Sequence, residues 1–209
     1  MLAFYPQIKL VHIAAVSASG AFFALRALGL LAGMRWPRMA PVRYLSYTID
    51  TTLLTAAMML LTGLAVWRWW PRGPMPGLLA VLFIGTLWLP VTFALYTAQS
   101  LVFAFDGGFI LGRAPMHALF VGFFGSLLVA MVTRVTQGHS GQPLTMYPIA
   151  WFAFVAIQIV ATVRILADVL PDPGLWQALA AVGWLLALSP WVMRIGHIYL
   201  TPRRDGRPG

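Results

Sequence analysis

The sequence predicts an all-α integral membrane protein, with six transmembrane helices in a bundle. Two observations on composition lead to this class: 60% of the residues are hydrophobic and only 9% are charged, against about 25% charged in an ordinary soluble domain. Five acidic residues cannot coat a soluble surface of this size. The third observation is that six apolar segments each approach the ~20 residues that a bilayer crossing requires.

Proline- and glycine-rich connections separate the six segments, and such residues stop helices and form turns. Tryptophan and tyrosine gather at the segment ends, as they do at membrane interfaces. No connection is long enough for a soluble domain, so we expect one membrane domain over 1–200 and a basic, disordered tail over 201–209. The predicted spans are 8–33, 49–70, 77–105, 115–136, 147–170 and 175–200.

The net charge of +9 indicates a membrane partner rather than a nucleic acid. The arginines are scattered between apolar segments instead of clustering on one face, and basic residues that flank spans meet anionic lipid. An even number of spans places both termini on one side. The distribution of arginine slightly favours cytoplasmic termini, although the first loop, with Arg35, Arg38 and Arg43, argues against that orientation.

Charged residues inside the spans need partners, because an isolated charge there costs about 3 kcal/mol on insertion scales. In helix one, Arg26 lies deep enough to require one. In helix two, we expect Asp50 to cap the N-terminus. In helix five, Gln158 is expected to form interhelical hydrogen bonds, and Asp168 follows Arg164 by four residues, the spacing of a helical ion pair.

Helices three and four carry the main packing signals. Pro90 lies in the middle of helix three and removes one backbone hydrogen bond, so we expect a kink. Helix four has small residues at every fourth position, which lets two helix backbones approach closely in a bilayer. This small-residue stripe should lie at the centre of the bundle and is followed by Arg134; its members are Ala118, Gly122, Ser126 and Ala130.

Helix four and the loop after it contain a long and unusual motif, made up of 113–119, Gly122, Gly125, 131–134 and 138–144. This motif resembles the signature of the NnrS family, and the similarity runs over about 79–200. These are bacterial inner-membrane proteins associated with nitric oxide metabolism and reported to carry haem and copper. The resemblance departs at Phe83, where relatives carry a histidine, and the chain is about half the usual family length.

In the N-terminal region, Lys9 and His12 stand at the spacing Lys-x-x-His, and Asp50 is followed by threonine. With these residues the region, about 5–60, resembles the SirB family of small bacterial membrane proteins. It departs at Ser46-Tyr47, where that family has Pro-His. The two resemblances divide the membrane domain into a SirB-like helix pair over 1–70 and an NnrS-like four-helix part over 77–200.

The histidines are the candidate ligands for haem b or copper, since the chain has no cysteine. His12, His139 and His197 fall on the side of the termini, and two of them could ligate a haem there. Arg134 or Arg194 could then pair with a haem propionate. His117 lies on the opposite side beside Met116; these two, with His139, are the copper candidates. Alternatively, the histidines are interfacial residues bonded to backbone carbonyls.

These observations favour a role in the response to nitric oxide, or in handling haem or copper in the membrane. They do not establish turnover, because no nucleophile–histidine–acid set, phosphate-binding loop or buried carboxylate pair is present. The partners implied are a respiratory or denitrification complex, or further copies of the chain. The alternative is a structural or regulatory membrane partner without a cofactor, which the SirB resemblance would suit.

Overall fold

The computed structural model of the protein describes residues 5–203 and 206, without the side chains of 5–9, 11, 12 and 15. His12 and the end of the tail therefore lie outside the described side chains. Within the described residues every regular element is helical. The α-helices are α1 (Tyr5–Leu31), α2 (Ala40–Trp69), α3 (Gly77–Thr86), α4 (Trp88–Asp106), α5 (Ala114–His117), α6 (Gly125–His139), α7 (Pro148–Leu166) and α8 (Pro173–Tyr199), with a 3-10 turn at Trp36–Arg38 and a π-helical segment at Ala118–Phe124.

Five helical segments in the described part are long and apolar enough to cross a membrane: Ala40–Trp69, Gly77–Asp106, Ala114–His139, Pro148–Leu166 and Pro173–Tyr199. The first predicted span corresponds to α1, whose described apolar stretch is Val16–Leu31. The predicted all-α, multi-pass membrane fold is confirmed.

The chain forms two compact units. The first comprises the described part of Met1–Leu61 with Phe93–Ile110, and the second comprises Thr62–Thr92 with the described part of Leu111–Gly209. Helices α2 and α4 each contribute residues to both units, and the spans α6, α7 and α8 lie in the second.

In the first unit, Arg26 of α1 and Asp50 of α2 have polar partners. The Nε atom of Arg26 donates to the carbonyl oxygen of Pro37 at 3.2 Å, and the guanidinium lies 5.9 Å from the centre of the Tyr47 ring. The expectation that Asp50 caps a helix is wrong, because α2 begins at Ala40 and Asp50 lies well inside it. Its carboxylate instead accepts a hydrogen bond from the hydroxyl of Ser19 on α1.

The second unit contains the break that Pro90 predicts. Helix α3 ends at Thr86 and α4 begins at Trp88, so the third span is interrupted at Leu87. A proline cannot donate to the carbonyl four residues earlier, and its ring crowds that carbonyl. For Pro90 that carbonyl belongs to Thr86, the last residue of α3, which explains why the helix is interrupted one turn before the proline.

The small-residue stripe of the fourth span is buried, as predicted. Ala118 and Ser126 are 0% exposed and Ala130 is 1% exposed. A Cβ atom on Gly122 would overlap Cδ2 of Trp88 on α4, and one on Gly85 of α3 would lie 2.8 Å from Cβ of Ser126. The third and fourth spans therefore pack along this stripe.

At one end of the second unit, Asp168 joins the start of the fourth span to the end of α7. Its carboxylate accepts a hydrogen bond from the backbone amide of Arg113 at 2.9 Å. It also forms the predicted ion pair with Arg164, at 3.0 Å. The backbone turns into α5 at Gly112, whose φ of +48° favours glycine.

Candidate functional site

The loop after α6 folds back against the helix that precedes it. The side-chain amide of Gln137 donates to the carbonyl oxygen of Thr145 at 2.7 Å and accepts from the amide of Thr145 at 3.1 Å. The backbone amide of Gln142 donates to the carbonyl oxygen of Gln137 at 2.9 Å. Because Gln137 is only 2% exposed, these bonds are shielded from solvent, and they place Tyr147 beside the end of α6.

Two hydrogen bonds join the C-terminal halves of α6 and α8. The indole N–H of Trp191 donates to the hydroxyl of Thr133 at 2.9 Å. The hydroxyl of Thr136 donates to that of Tyr199 at 3.3 Å. The two helices therefore run parallel and end side by side, and the N-terminus of α7, which begins just after Tyr147, lies at the same end.

We call Thr133, Tyr147, Trp191 and Arg194 the interfacial cluster. The guanidinium of Arg194 lies 4.5 Å from the centre of the Tyr147 ring, within the ~6 Å range of cation–π attraction. The hydroxyl of Tyr147 is buried beside Thr133 and Arg194, yet among the described residues it forms no hydrogen bond of good geometry. The cluster therefore brings together α6, the residue before α7, and α8.

Burial also sets the protonation state of this phenol. Tyr147 precedes the α7 span, and burial raises its pKa above the ordinary value, an effect that the nearby charge of Arg194 partly offsets. The hydroxyl consequently keeps its proton at neutral pH. It is available as a hydrogen-bond donor rather than as an anion that would neutralise Arg194.

A second polar group lies deeper in the same unit. The indole N–H of Trp88 donates to Oε1 of Gln158 at 2.6 Å, and Nε2 of Gln158 donates to the hydroxyl of Ser126 at 2.8 Å. That hydroxyl donates to the carbonyl oxygen of Gly122, in the π-helical segment, at 2.6 Å. The predicted interhelical role of Gln158 is confirmed. Because its donors and acceptor all have partners here, this chain of bonds locks helices together rather than offering a ligand site.

The sequence model of the family described as "NnrS protein" matches residues 3–203. The chain belongs to the NnrS family. The match begins in the region that resembles SirB, so the NnrS likeness extends beyond the predicted 79–200 to nearly the whole chain. No curated protein and no solved structure matches the sequence.

In this NnrS-family chain, the structure brings two of the predicted haem ligands to one end of the second unit. His139 lies in the last turn of α6 and His197 in the last turn of α8, and both side chains are exposed. Arg134 is exposed on α6, and Arg194 is part of the interfacial cluster. The third predicted ligand, His12, lies outside the described side chains.

The predicted copper residues are divided between two ends of the fourth span. Met116 and His117 lie at its start, whereas His139 is its last residue, so one ion cannot bind all three. The Nδ1 atom of His117 lies 2.8 Å from the carbonyl oxygen of Arg113. This is the backbone-bonded arrangement that we considered as the alternative for the histidines.

Among the described residues, no three histidine, cysteine or acidic side chains come together as a metal site. The exposed imidazoles of His139 and His197 would suit haem, which one or two imidazoles can hold. Two grooves on the second unit have almost entirely apolar linings without histidine, one beside Trp184 and one beside Pro90. These two grooves therefore offer no imidazole ligand.

Sequence reasoning did not single out Tyr147 or Thr133. Tyr147 was one of several aromatic residues at span ends, which interfacial belts explain without a site. Its position depends on the loop folded back by Gln137. A useful signal is the run of polar residues that follows the small-residue stripe, from Thr133 to Gln142.

Proposed function

We propose that this NnrS-family protein takes part in the bacterial response to nitric oxide as a haem b carrier in the inner membrane. The main observation behind this proposal is that the ends of α6 and α8 lie side by side, joined by a hydrogen bond, and that each helix has an exposed histidine in its last turn. The family resemblance supplies the link to nitric oxide, and the absence of a catalytic residue set in the sequence favours a carrier over an enzyme.

In this proposal His139 and His197 would hold the haem, with His12 as a further candidate. Neutral imidazole is the usual protein ligand of haem b, and bound haem would supply an iron centre that changes redox state. Arg194 or Arg134 would pair with a propionate, for which a planar guanidinium is well shaped. A copper site at Met116 and His117, or one that uses His139, is the runner-up cofactor assignment.

The proposal includes a cellular location and an orientation in the membrane. We propose an inner-membrane protein with cytoplasmic termini, which would place the ends of α6 and α8 on the cytoplasmic side. A respiratory or denitrification complex, or a second copy of the chain, would be the partner that exchanges electrons or haem.

Replacing His139 or His197 by alanine is expected to lower the haem content of the purified protein several-fold, because each variant loses one of the two imidazoles that would hold the haem. His117→Ala is the matched control, since that ring lies at the other end of the span and bonds to a backbone carbonyl. Haem is assayed by pyridine haemochrome per mole of protein, in preparations that elute as a single species.

Unchanged haem content in both variants would contradict the ligand assignment. A loss of haem only in His117→Ala would indicate that the haem site lies at the other end of the span. Copper measured on the same samples tests the runner-up, because copper lost only with His117→Ala or Met116→Leu would favour that assignment.

A second candidate function is a structural or regulatory membrane partner without a cofactor, of the kind that the SirB resemblance suggests. It is favoured by Phe83 and Ser46-Tyr47, which stand where relatives of the two families carry histidines, and by the apolar lining of both grooves. Wild-type protein that binds neither haem nor copper but co-purifies with a defined membrane complex would support it.

A further inference from the structure

The π-helical segment Ala118–Phe124 changes how the small-residue stripe winds around the fourth span. In an α-helix each residue turns the chain by about 100°, so residues four apart lie about 40° from each other around the axis. Over the three intervals from Ala118 to Ala130 this drift would reach about 120°. The two ends of the stripe would then lie on different faces of the helix, yet Ala118 is 0% exposed and Ala130 is 1% exposed.

The π-helical segment removes this drift. A π-helix has about 4.4 residues per turn, against about 3.6 in an α-helix, so each of its residues turns the chain by only about 80°. From Ala118 to Ser126 the chain therefore turns about 110° less than an uninterrupted α-helix would. Since one α-helical residue contributes about 100°, the segment contains about one residue more than an α-helix would need to join the same two positions.

The hydroxyl of Ser126 supports the end of this segment. It donates to the carbonyl oxygen of Gly122 at 2.6 Å and accepts from Nε2 of Gln158 at 2.8 Å. The backbone amide of Gly125 is shared between the carbonyl oxygens of Gly122 and Phe120, so the π-type bond at this end is only one branch of a three-centre bond. Because π-helices are rare, such a segment needs support from its surroundings, and Ser126 provides it.

We propose that Ala118–Phe124 is a one-residue insert that sets the direction in which the start of the fourth span faces, and that Ser126 holds it in the π conformation. An α-helical segment of the same length would turn the start of the span, including His117, by about 110° relative to α6. It would also turn the backbone amide of Arg113 away from Asp168, to which it donates at 2.9 Å. The insert does not depend on a cofactor, so this proposal goes beyond the proposed function.

The test compares two single-residue deletions in the fourth span, each of which removes an exposed apolar residue. Phe120, in the π-helical segment, is 55% exposed, and Leu128, in α6, is 46% exposed. Without Phe120 the segment can close to an α-helix while Ala118 and Ser126 keep their relative orientation to within about 10°. Without Leu128 everything before it turns by about 100° relative to the rest of α6.

We therefore expect the deletion of Phe120 to accumulate as folded protein at about half the level of Phe120→Ala or more. The deletion of Leu128 should fall roughly tenfold or more below Leu128→Ala, because it buries the wrong face of the helix. The alanine variants are the references, since each loses the side chain but keeps the backbone. Yield is measured by fluorescence-detected size exclusion in detergent. Equal relative yields of the two deletions, whether high or low, would overturn the proposal.

The role of Ser126 has its own measurement. Ser126→Ala is expected to lower the melting midpoint of the full-length chain by several degrees. In the deletion of Phe120 it should lower the midpoint by less than half as much, because an α-helical segment no longer needs the bond to Gly122. Ser189→Ala is the matched control, since its exposed hydroxyl also donates to a carbonyl four residues earlier, and its effect should be the same in both backgrounds. An equal effect of Ser126→Ala in both backgrounds would contradict its role in holding the segment.

Discussion

Replacing Gly122 by leucine is expected to prevent folded protein from accumulating in the membrane. A Cβ atom at this position would overlap Cδ2 of Trp88 and lie 2.7 Å from its Cγ, which is closer than real Cβ contacts come. The indole cannot move away easily, because its N–H is bonded to Gln158 at 2.6 Å. Overpacking by single methylenes costs about 1–3 kcal/mol, and leucine adds several heavy atoms.

The milder Gly122→Ala should fold but melt well below the wild type. Gly138→Ala is the matched control on α6, since a Cβ atom there would meet nothing within 4 Å. Detergent-stable yield is measured by fluorescence-detected size exclusion. A wild-type yield for Gly122→Leu would show that the third and fourth spans do not pack together along the small-residue stripe.

Replacing Gln158 by leucine is expected to have the second large effect, a loss of stability. The change removes the acceptor of the Trp88 indole N–H and one donor to Ser126. The indole N–H would be left without a partner between packed helices, at a cost of about 1–3 kcal/mol. For a chain of this length we therefore expect the melting midpoint to fall by several degrees.

Thr162→Val is the control for this change. It also replaces a polar residue of α7 by an apolar one, but its exposed hydroxyl bonds only to a carbonyl of its own helix, at 2.9 Å. Trp88→Phe combined with Gln158→Leu should cost less than the sum of the two single changes, because both break the same bond. Strictly additive losses would mean that the Trp88–Gln158 bond contributes nothing to stability.

Much of the fold could be predicted from the sequence because bilayer spans follow from hydropathy. The buried stripe, the interruption at Pro90 and the Arg164–Asp168 pair all depend on residues near each other in the sequence. The start of α2 could not be predicted in this way. Its first turns contain the polar residues Arg43, Ser46 and Thr48. Such residues are typical of the membrane–water interface, so the predicted span began after them, although the helix includes them. The π-helical segment at Ala118–Phe124 also has no sequence signature that we could use.

The candidate site was predictable only in part. The placement of His139 and His197 at one end follows from counting spans, but the arrangement of Tyr147 does not. It requires Gln137 to fold the following loop back, and the bond between Thr133 and Trp191 to join residues that are distant in the sequence. Such contacts depend on tertiary packing, which residue patterns do not encode locally.

A reduced-minus-oxidised visible spectrum of the wild-type protein, with haem assayed on the same sample, tests the central proposal most directly. The proposal predicts a Soret and α-band pair from haem b, with haem in a constant ratio to protein across the elution peak. Protein expressed with an ample haem supply that shows neither the bands nor bound haem would contradict it.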